Sequence, residues 1–190
     1  MVRVVALVFL MLSFPLWLLI GTLIKLTSRG PVIFRQKRVG KNQKIFTIYK
    51  FRTMVENAEQ LKGSFKHLNE ADGPIFKIYN DPRYAGFGRL IAHTYLDELP
   101  QLLNIIRGEM AFVGPRPLLP SDVVSLPKKY ASRFSILPGV TSPWVVKGKY
   151  KLTFREWMKL DVEYASCKSL SQDAKIILLT LLLLLSSPNR

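Results

Sequence analysis

The sequence predicts an α+β chain, mainly helical, with one small β-hairpin and an N-terminal helix that enters a membrane and turns back at a proline. Three observations carry this reading. Val4 to Ile24 hold no charged residue and are long enough to cross the roughly 30 Å hydrocarbon layer, yet Ser13 and Pro15 stand at their middle. Two runs rich in Val, Ile, Phe and Tyr, inside VIFRQKRVGKNQKIFTIYKF, flank a turn-forming VGKN. Further on, TFREWMKLDVEYA opens with Thr153 and Glu156 at the spacing of a capping box, and Trp157, Leu160 and Tyr164 follow at helical intervals.

The elements follow in order. Within the apolar segment Pro15 removes a backbone donor and crowds the preceding turn, so a kink is expected there. Arg3 precedes the segment, and Lys25, Arg29, Arg35, Lys37 and Arg38 follow it. A simple span concentrates its basic residues on the cytoplasmic side. Basic flanks at both ends instead suit a re-entrant segment, with a straight anchor helix as the alternative. A cleaved signal peptide fits poorly, because the run is overlong and no A-x-A-like site follows. Residues 1–28 are therefore read as the membrane segment and residues 29–190 as one further domain. In that domain the hairpin comes first, residues 54 to 72 look helical and polar, and YNDPRYAGFG is loop chemistry. The capped helix from Thr153 comes next. The apolar run Ile176 to Leu185 has about half the length of a spanning helix, so it packs on the domain or lies in the membrane interface.

Composition narrows the chemistry. In 190 residues, Lys and Arg number 28 against 13 Asp and Glu, a net charge of +15. That excess calls for a polyanionic partner: nucleic acid, an anionic membrane surface, or a phosphorylated substrate. Cys167 is the single cysteine, which excludes an internal disulfide and a thiolate zinc cluster. With only His67 and His93, a His-rich metal site is excluded as well. Any metal is then a hard cation held by carboxylates and substrate phosphates, which points to Mg²⁺. No recognised DNA- or RNA-binding motif is present, and the membrane segment also argues against a nucleic-acid partner.

The stretch YLDELPQLL sets Asp97 and Glu98 side by side in this basic chain. Asp favours the N-cap, Glu the first turn, and Pro100 is tolerated there, so helix capping accounts for the pair without chemistry. The other account is a reacting centre. Downstream, Gly114-Pro115-Arg116-Pro117 forms a rigid basic turn in which two prolines restrict the backbone around Arg116. A preorganised guanidinium suits bidentate binding of phosphate. Paired carboxylates beside such an arginine fit metal-assisted phosphoryl transfer.

The motifs KFRTM (50–54), NDPR (80–83), LDELPQL (96–102), GEMAFVGPRP (108–117) and PGVT (138–141) occur in the order found in bacterial sugar transferases. The chain resembles a small monotopic phosphoglycosyl transferase over essentially its whole length. The resemblance implies transfer of a phosphosugar from a UDP-sugar to polyprenol phosphate, with release of UMP, on the cytoplasmic face of the bacterial inner membrane. It makes Asp97 the nucleophile that forms an aspartyl-phosphosugar, and Glu98 its helper through Mg²⁺ or by proton handling. Pro115, Arg116 and Pro117 fall at the nucleotide and phosphate end, and the motif cations Lys50, Arg52, Arg83 and Lys149 are expected there too. A Ser-Pro pair breaks the family's re-entrant helix; here Ser13 is displaced by one from Pro15, with Phe14 between. After PGVT the chain carries Ser142-Pro143 and Lys147-Gly148-Lys149 where the family often reads Gly-Trp or Leu-Trp and then Val-Asn-Gly-Arg. Lys149 keeps that charge and loses the bidentate fork. Anionic lipids are the expected surface partner, and the oligomeric state is not legible. A catalytically silent scaffold of the same fold is the alternative outcome.

Overall fold

A computed structural model describes residues 1–148 and 151–186. Helix α1 (Val2–Thr27) remains helical across Pro15. Ser13 Oγ donates to the Leu10 carbonyl at 3.2 Å, three residues back. Although α1 is apolar on every side, it buries only a stripe: Ala6, Ile20 and Ile24 are buried, with Leu10, Ser13, Leu16 and Trp17 half-buried between. That three-to-four spacing marks one helical face lying along the domain. Ala6 packs with Phe46, Ile48, Leu102, Ile105 and Met110. Ile20 and Ile24 pack with Phe51 and Ile91. Both ends of α1 thus rest on the same domain, while Leu12 is 74% exposed on the opposite face.

The expected hairpin is present. Strands β1 (Ile33–Val39) and β2 (Ile45–Phe51) pair antiparallel, with Ile33 opposite Phe51 and Val39 opposite Ile45. The turn places Asn42 and Gln43 at positive φ, and the Gly40 N–H closes it on the Lys44 carbonyl at 2.9 Å. Residues 54 to 72 depart from expectation. They form only short 3₁₀ turns, at Gln60–Lys62 and Lys66–Leu68, with no residue of either turn buried. Val55, Ala58, Leu61 and Phe65 recur at helical spacing, but none is buried and Leu68 is exposed, so a helix here gains little tertiary support. The side chain of Asn69 also competes for backbone groups: its amide donates to the Ala71 and Ile75 carbonyls and its oxygen accepts from Lys77 N–H. The YNDPRYAGFG stretch is irregular until the short helix α2 (Gly88–His93) begins at its final glycine.

Helix α3 (Gln101–Arg107) packs between α1 and β2 and leads into β3 (Ala111–Val113). Strand β3 pairs in parallel with β4 (Gly139–Thr141), which places Gly114-Pro115-Arg116-Pro117 at the end of β3. The glycines of GPRP and PGVT share one physical cause. A Cβ on Gly139 would come within 2.0 Å of Gly114 N, and one on Gly114 within 2.3 Å of the Leu137 carbonyl, so only glycine permits this backbone contact. Helix α4 (Pro120–Val124), a 3₁₀ segment (Lys128–Ser135) and α5 (Pro143–Val146) connect the strands to α6 (Phe154–Cys167). Thr153 and Glu156 form the expected capping box on α6, with Thr153 Oγ1 accepting from Glu156 N–H at 3.2 Å. Trp157 and Tyr164 are buried, Leu160 is half-buried, and Trp157 stacks on Trp144 at 4.6 Å between rings. The aromatic stripe is therefore packing. Helix α7 (Leu170–Ser186) buries Ile176 and exposes Leu178, Leu181, Leu182 and Leu185, a second uncovered apolar surface in addition to that of α1.

Candidate active site

Lys50, Asp97, Glu98 and Arg116 converge from three parts of the chain. Lys50 sits near the end of β2, where the hairpin's register points it toward the carboxylates. Asp97 and Glu98 lie in a 3₁₀ turn (Leu96–Glu98) entered through Tyr95 at φ 58°. Lys50 Nζ stands 2.6 Å from Glu98 Oε1 and 3.3 Å from Asp97 Oδ2. Arg116 Nη1 approaches Glu98 Oε1 at 3.5 Å. The capping account does not survive this geometry: α3 begins at Gln101 with Pro100 at its N-cap and no side-chain cap, and both carboxylates face Lys50.

The two carboxyls are driven apart electrostatically. Burial pushes Asp97 up, reinforced by the charge of Glu98 and only partly relieved by Lys50. Burial pushes Glu98 up as well, but Lys50 and Arg116 outweigh it and hold Glu98 down to about 2. For Lys50, the cost of burial is outweighed by Asp97 and Glu98, so the ammonium is retained. Glu98 therefore stays an anchoring anion for both cations. Asp97 is the carboxylate whose charge the site compensates less fully. Among the described residues no group of three or more His, Cys, Asp or Glu could hold a metal. Two adjacent carboxylates nevertheless fit Mg²⁺, which keeps several waters and uses one or two protein carboxylates with substrate phosphates.

Arg116 lies over the Trp144 ring, 5.8 Å from its centroid, with its side chain 31% exposed. Pro115 and Pro117 flank it, as the sequence requires. Other predicted cations sit elsewhere or face inward. Arg83 forks onto Asp81, with Nε at 2.9 Å and Nη2 at 2.6 Å, and its Nη1 donates to the Ala58 carbonyl at 2.9 Å. Arg52 is buried and donates to the Arg29 carbonyl, tying the exit of α1 to the end of β2. Lys149 lies outside the described residues.

Arg38, in the sequence only one of the basic residues after the apolar segment, belongs beside the site. Its Nη1 donates to the Pro117 carbonyl at 3.1 Å and its Nη2 to Gln36 Oε1 at 2.6 Å. Burial, with the neighbouring charge of Arg116, lowers its pKa to about 10. The hairpin alternation held the clue: Arg38 opposes Phe46 and Lys50 opposes Phe34, four residues along the same face.

A family model described as bacterial sugar transferase matches residues 1–187. The chain is 43% identical over 153 residues to the galactosyl transferase CpsE of Streptococcus agalactiae serotype III (strain NEM316), covering 80% of this chain and 34% of that protein. It is 35% identical over 176 residues to the exopolysaccharide production protein ExoY of Rhizobium meliloti (strain 1021), covering 90% and 78%. A third relative is the undecaprenyl-phosphate glucose phosphotransferase of Komagataeibacter xylinus, 36% identical over 178 residues, covering 88% and 32%. The chain thus spans about a third of the streptococcal and Komagataeibacter proteins and most of the rhizobial one.

Proposed function

This chain belongs to the bacterial sugar transferase family, and on that premise we propose that it moves a phosphosugar from a UDP-sugar to polyprenol phosphate, releasing UMP. The observation that carries the reading is the Lys50–Asp97–Glu98–Arg116 cluster. It joins a buried carboxylate with a raised pKa to cations suited to phosphate. An Asp97 carboxylate oxygen attacks the β-phosphorus, the bond to the bridging oxygen breaks, and UMP leaves with that electron pair. A phosphate oxygen of polyprenol phosphate then attacks the same phosphorus, the acyl-phosphate bond breaks, and the Asp97 carboxylate is restored. Splitting one exchange between two bulky substrates into two displacements is the usual gain of nucleophilic catalysis. Lys50 and Arg116 orient the diphosphate and offset its charge, while Glu98 holds both cations in place. Asp97 and Glu98 are the residues that would hold Mg²⁺, whose chemistry here is neutralisation of the diphosphate.

In this reading the reaction runs at the cytoplasmic face of a bacterial inner membrane, where a nucleotide-sugar donor and a polyprenol acceptor can meet. Support comes from α1, which is long and apolar enough to enter a bilayer and whose two ends both rest on the catalytic domain. In this reading residues 1–28 are re-entrant and the protein is monotopic, with the uncovered faces of α1 and α7 toward lipid. Cysteine labelling at positions 2 and 30, in a Cys167→Ser background, should find both on the cytoplasmic side; periplasmic labelling at position 2 would restore a straight anchor. For the activity, a panel of UDP-sugars is offered with polyprenol phosphate and Mg²⁺. Sustained UMP release with one of them is expected, whereas no release with any would favour a silent scaffold.

A further inference from the structure

The turn that carries Arg116 is held through its carbonyls by donors from other parts of the chain. Four consecutive carbonyls are each taken from another part of the chain. Pro115 C=O accepts from Gly139 N–H at 3.1 Å, and Leu118 C=O from Val39 N–H at 2.9 Å. Between them, Arg116 C=O accepts from Arg133 Nη2 at 2.8 Å and Pro117 C=O from Arg38 Nη1 at 3.1 Å. Pro115 and Pro117 have no N–H, so at these two positions the backbone of the turn can be held only as an acceptor.

Arg133 is itself immobilised. Its Nε and Nη2 lie 3.2 and 2.6 Å from Asp161 Oδ2 on α6, and the two side chains are 1% and 0% exposed. A buried ion pair is weak evidence for stability, because the loss of solvation offsets most of its attraction. Its more distinctive product here is position. The capped helix α6 fixes Asp161, Asp161 fixes the Arg133 fork, and the same Nη2 holds the carbonyl of the residue whose guanidinium reaches Glu98.

We propose that Arg133, held by Asp161, is a positioning residue that sets the orientation in which Arg116 meets the phosphates of the substrate. The inference rests on the reading of Arg116 as a diphosphate contact. Arg133 touches no reacting atom and acts through the Arg116 backbone.

A double-mutant cycle tests this, read both as KM and kcat for UMP release and as affinity for inorganic pyrophosphate, which needs no turnover. Arg133→Lys keeps a charge beside Asp161, but one ammonium cannot reproduce the fork that serves carboxylate and carbonyl together. In the parent background it should weaken pyrophosphate binding and raise KM by about tenfold, as expected for a displaced contact. In an Arg116→Ala background the same substitution should change neither by more than about twofold, because its target is gone. Losses that multiply in the double variant would overturn the proposal and leave Arg133 a scaffold residue. If Arg133→Lys fails to fold, Asp161→Asn takes its place in the cycle; failure of both to fold also makes the pair structural. A parent that releases no UMP defeats the functional reading alone, since the pyrophosphate cycle still decides the clamp. A parent that does not bind pyrophosphate defeats the clamp too.

Discussion

The NDPR loop and the GPRP turn each set an arginine directly after a proline in a short motif, yet the fold uses the two in opposite ways. Arg83 closes its fork on Asp81 two residues away, gives its remaining arm to the Ala58 carbonyl, and lies over Phe76 with its side chain 7% exposed. Arg116 has its backbone immobilised, and its guanidinium reaches across to Glu98 at a longer 3.5 Å with 31% of the side chain open. Asp81 and Asp97 differ in parallel. Burial raises Asp81, but hydrogen bonds and charge from Arg83 bring it below the usual aspartate range; Asp97 remains raised. Residue type does not separate a cation that serves the fold from one that serves a ligand. What separates them is how far the side chain stays open, 7% for Arg83 against 31% for Arg116.

The comparison breaks most sharply at the two aspartates. Asp97→Asn should abolish turnover, because an amide is a poor nucleophile. Folding should stay within about 1 kcal/mol of the parent, as the variant removes a buried charge and no cap. Activity assays beside thermal melts check both halves. Arg83→Met should show the reverse pattern: a loss of about 3 kcal/mol from a stranded buried carboxylate, with turnover per folded molecule near the parent value. The pH dependence has a definite sign. Asp81, with its lowered native pKa, contributes stability that is fully present above the ordinary aspartate value of about 3.9 and is lost as pH falls through the native one. Arg83→Met should flatten that part of the acid unfolding curve, and a steep parent-like curve would mean that the pair is not the source.

Legibility in the sequence followed the same division. The hairpin, the Thr153 capping box and the apolar α1 were readable because each rests on local spacing: alternation, a capping pair, and an uncharged run. The carboxylate pair and the GPRP turn were visible as motifs. Their meeting with Lys50 was not, because it depends on β2, the 3₁₀ turn before α3 and the end of β3 being brought together in space. Residues 54 to 72 misled because a polar stretch with good helix formers says nothing about whether a face exists to bury. Arg83 and Arg52 were placed at the phosphate end by motif alone. Their internal partners, Asp81, Ala58 and Arg29, are what the sequence could not display.

Smaller effects sharpen the contrast further. Arg116→Lys keeps the charge and loses the planar fork, so kcat/KM should fall about tenfold, equivalent to roughly 1.4 kcal/mol, with melting unchanged. Near-parent kinetics would return GPRP to a structural turn. Lys50→Met removes the charge that lowers Asp97, so the acid limb of kcat/KM should move to higher pH in the variant. An unmoved limb would show that another group titrates there.

The central claim is that Asp97 forms the bond to phosphorus. The parent protein, given the UDP-sugar it turns over and Mg²⁺ without polyprenol phosphate, is analysed by intact mass and peptide mapping. The account expects UMP release no greater than the concentration of active sites and a phosphosugar mass on the peptide containing Asp97, absent from Asp97→Asn. Continuous UMP release without acceptor and without adduct, or the same adduct on the Asp97→Asn protein, would contradict it.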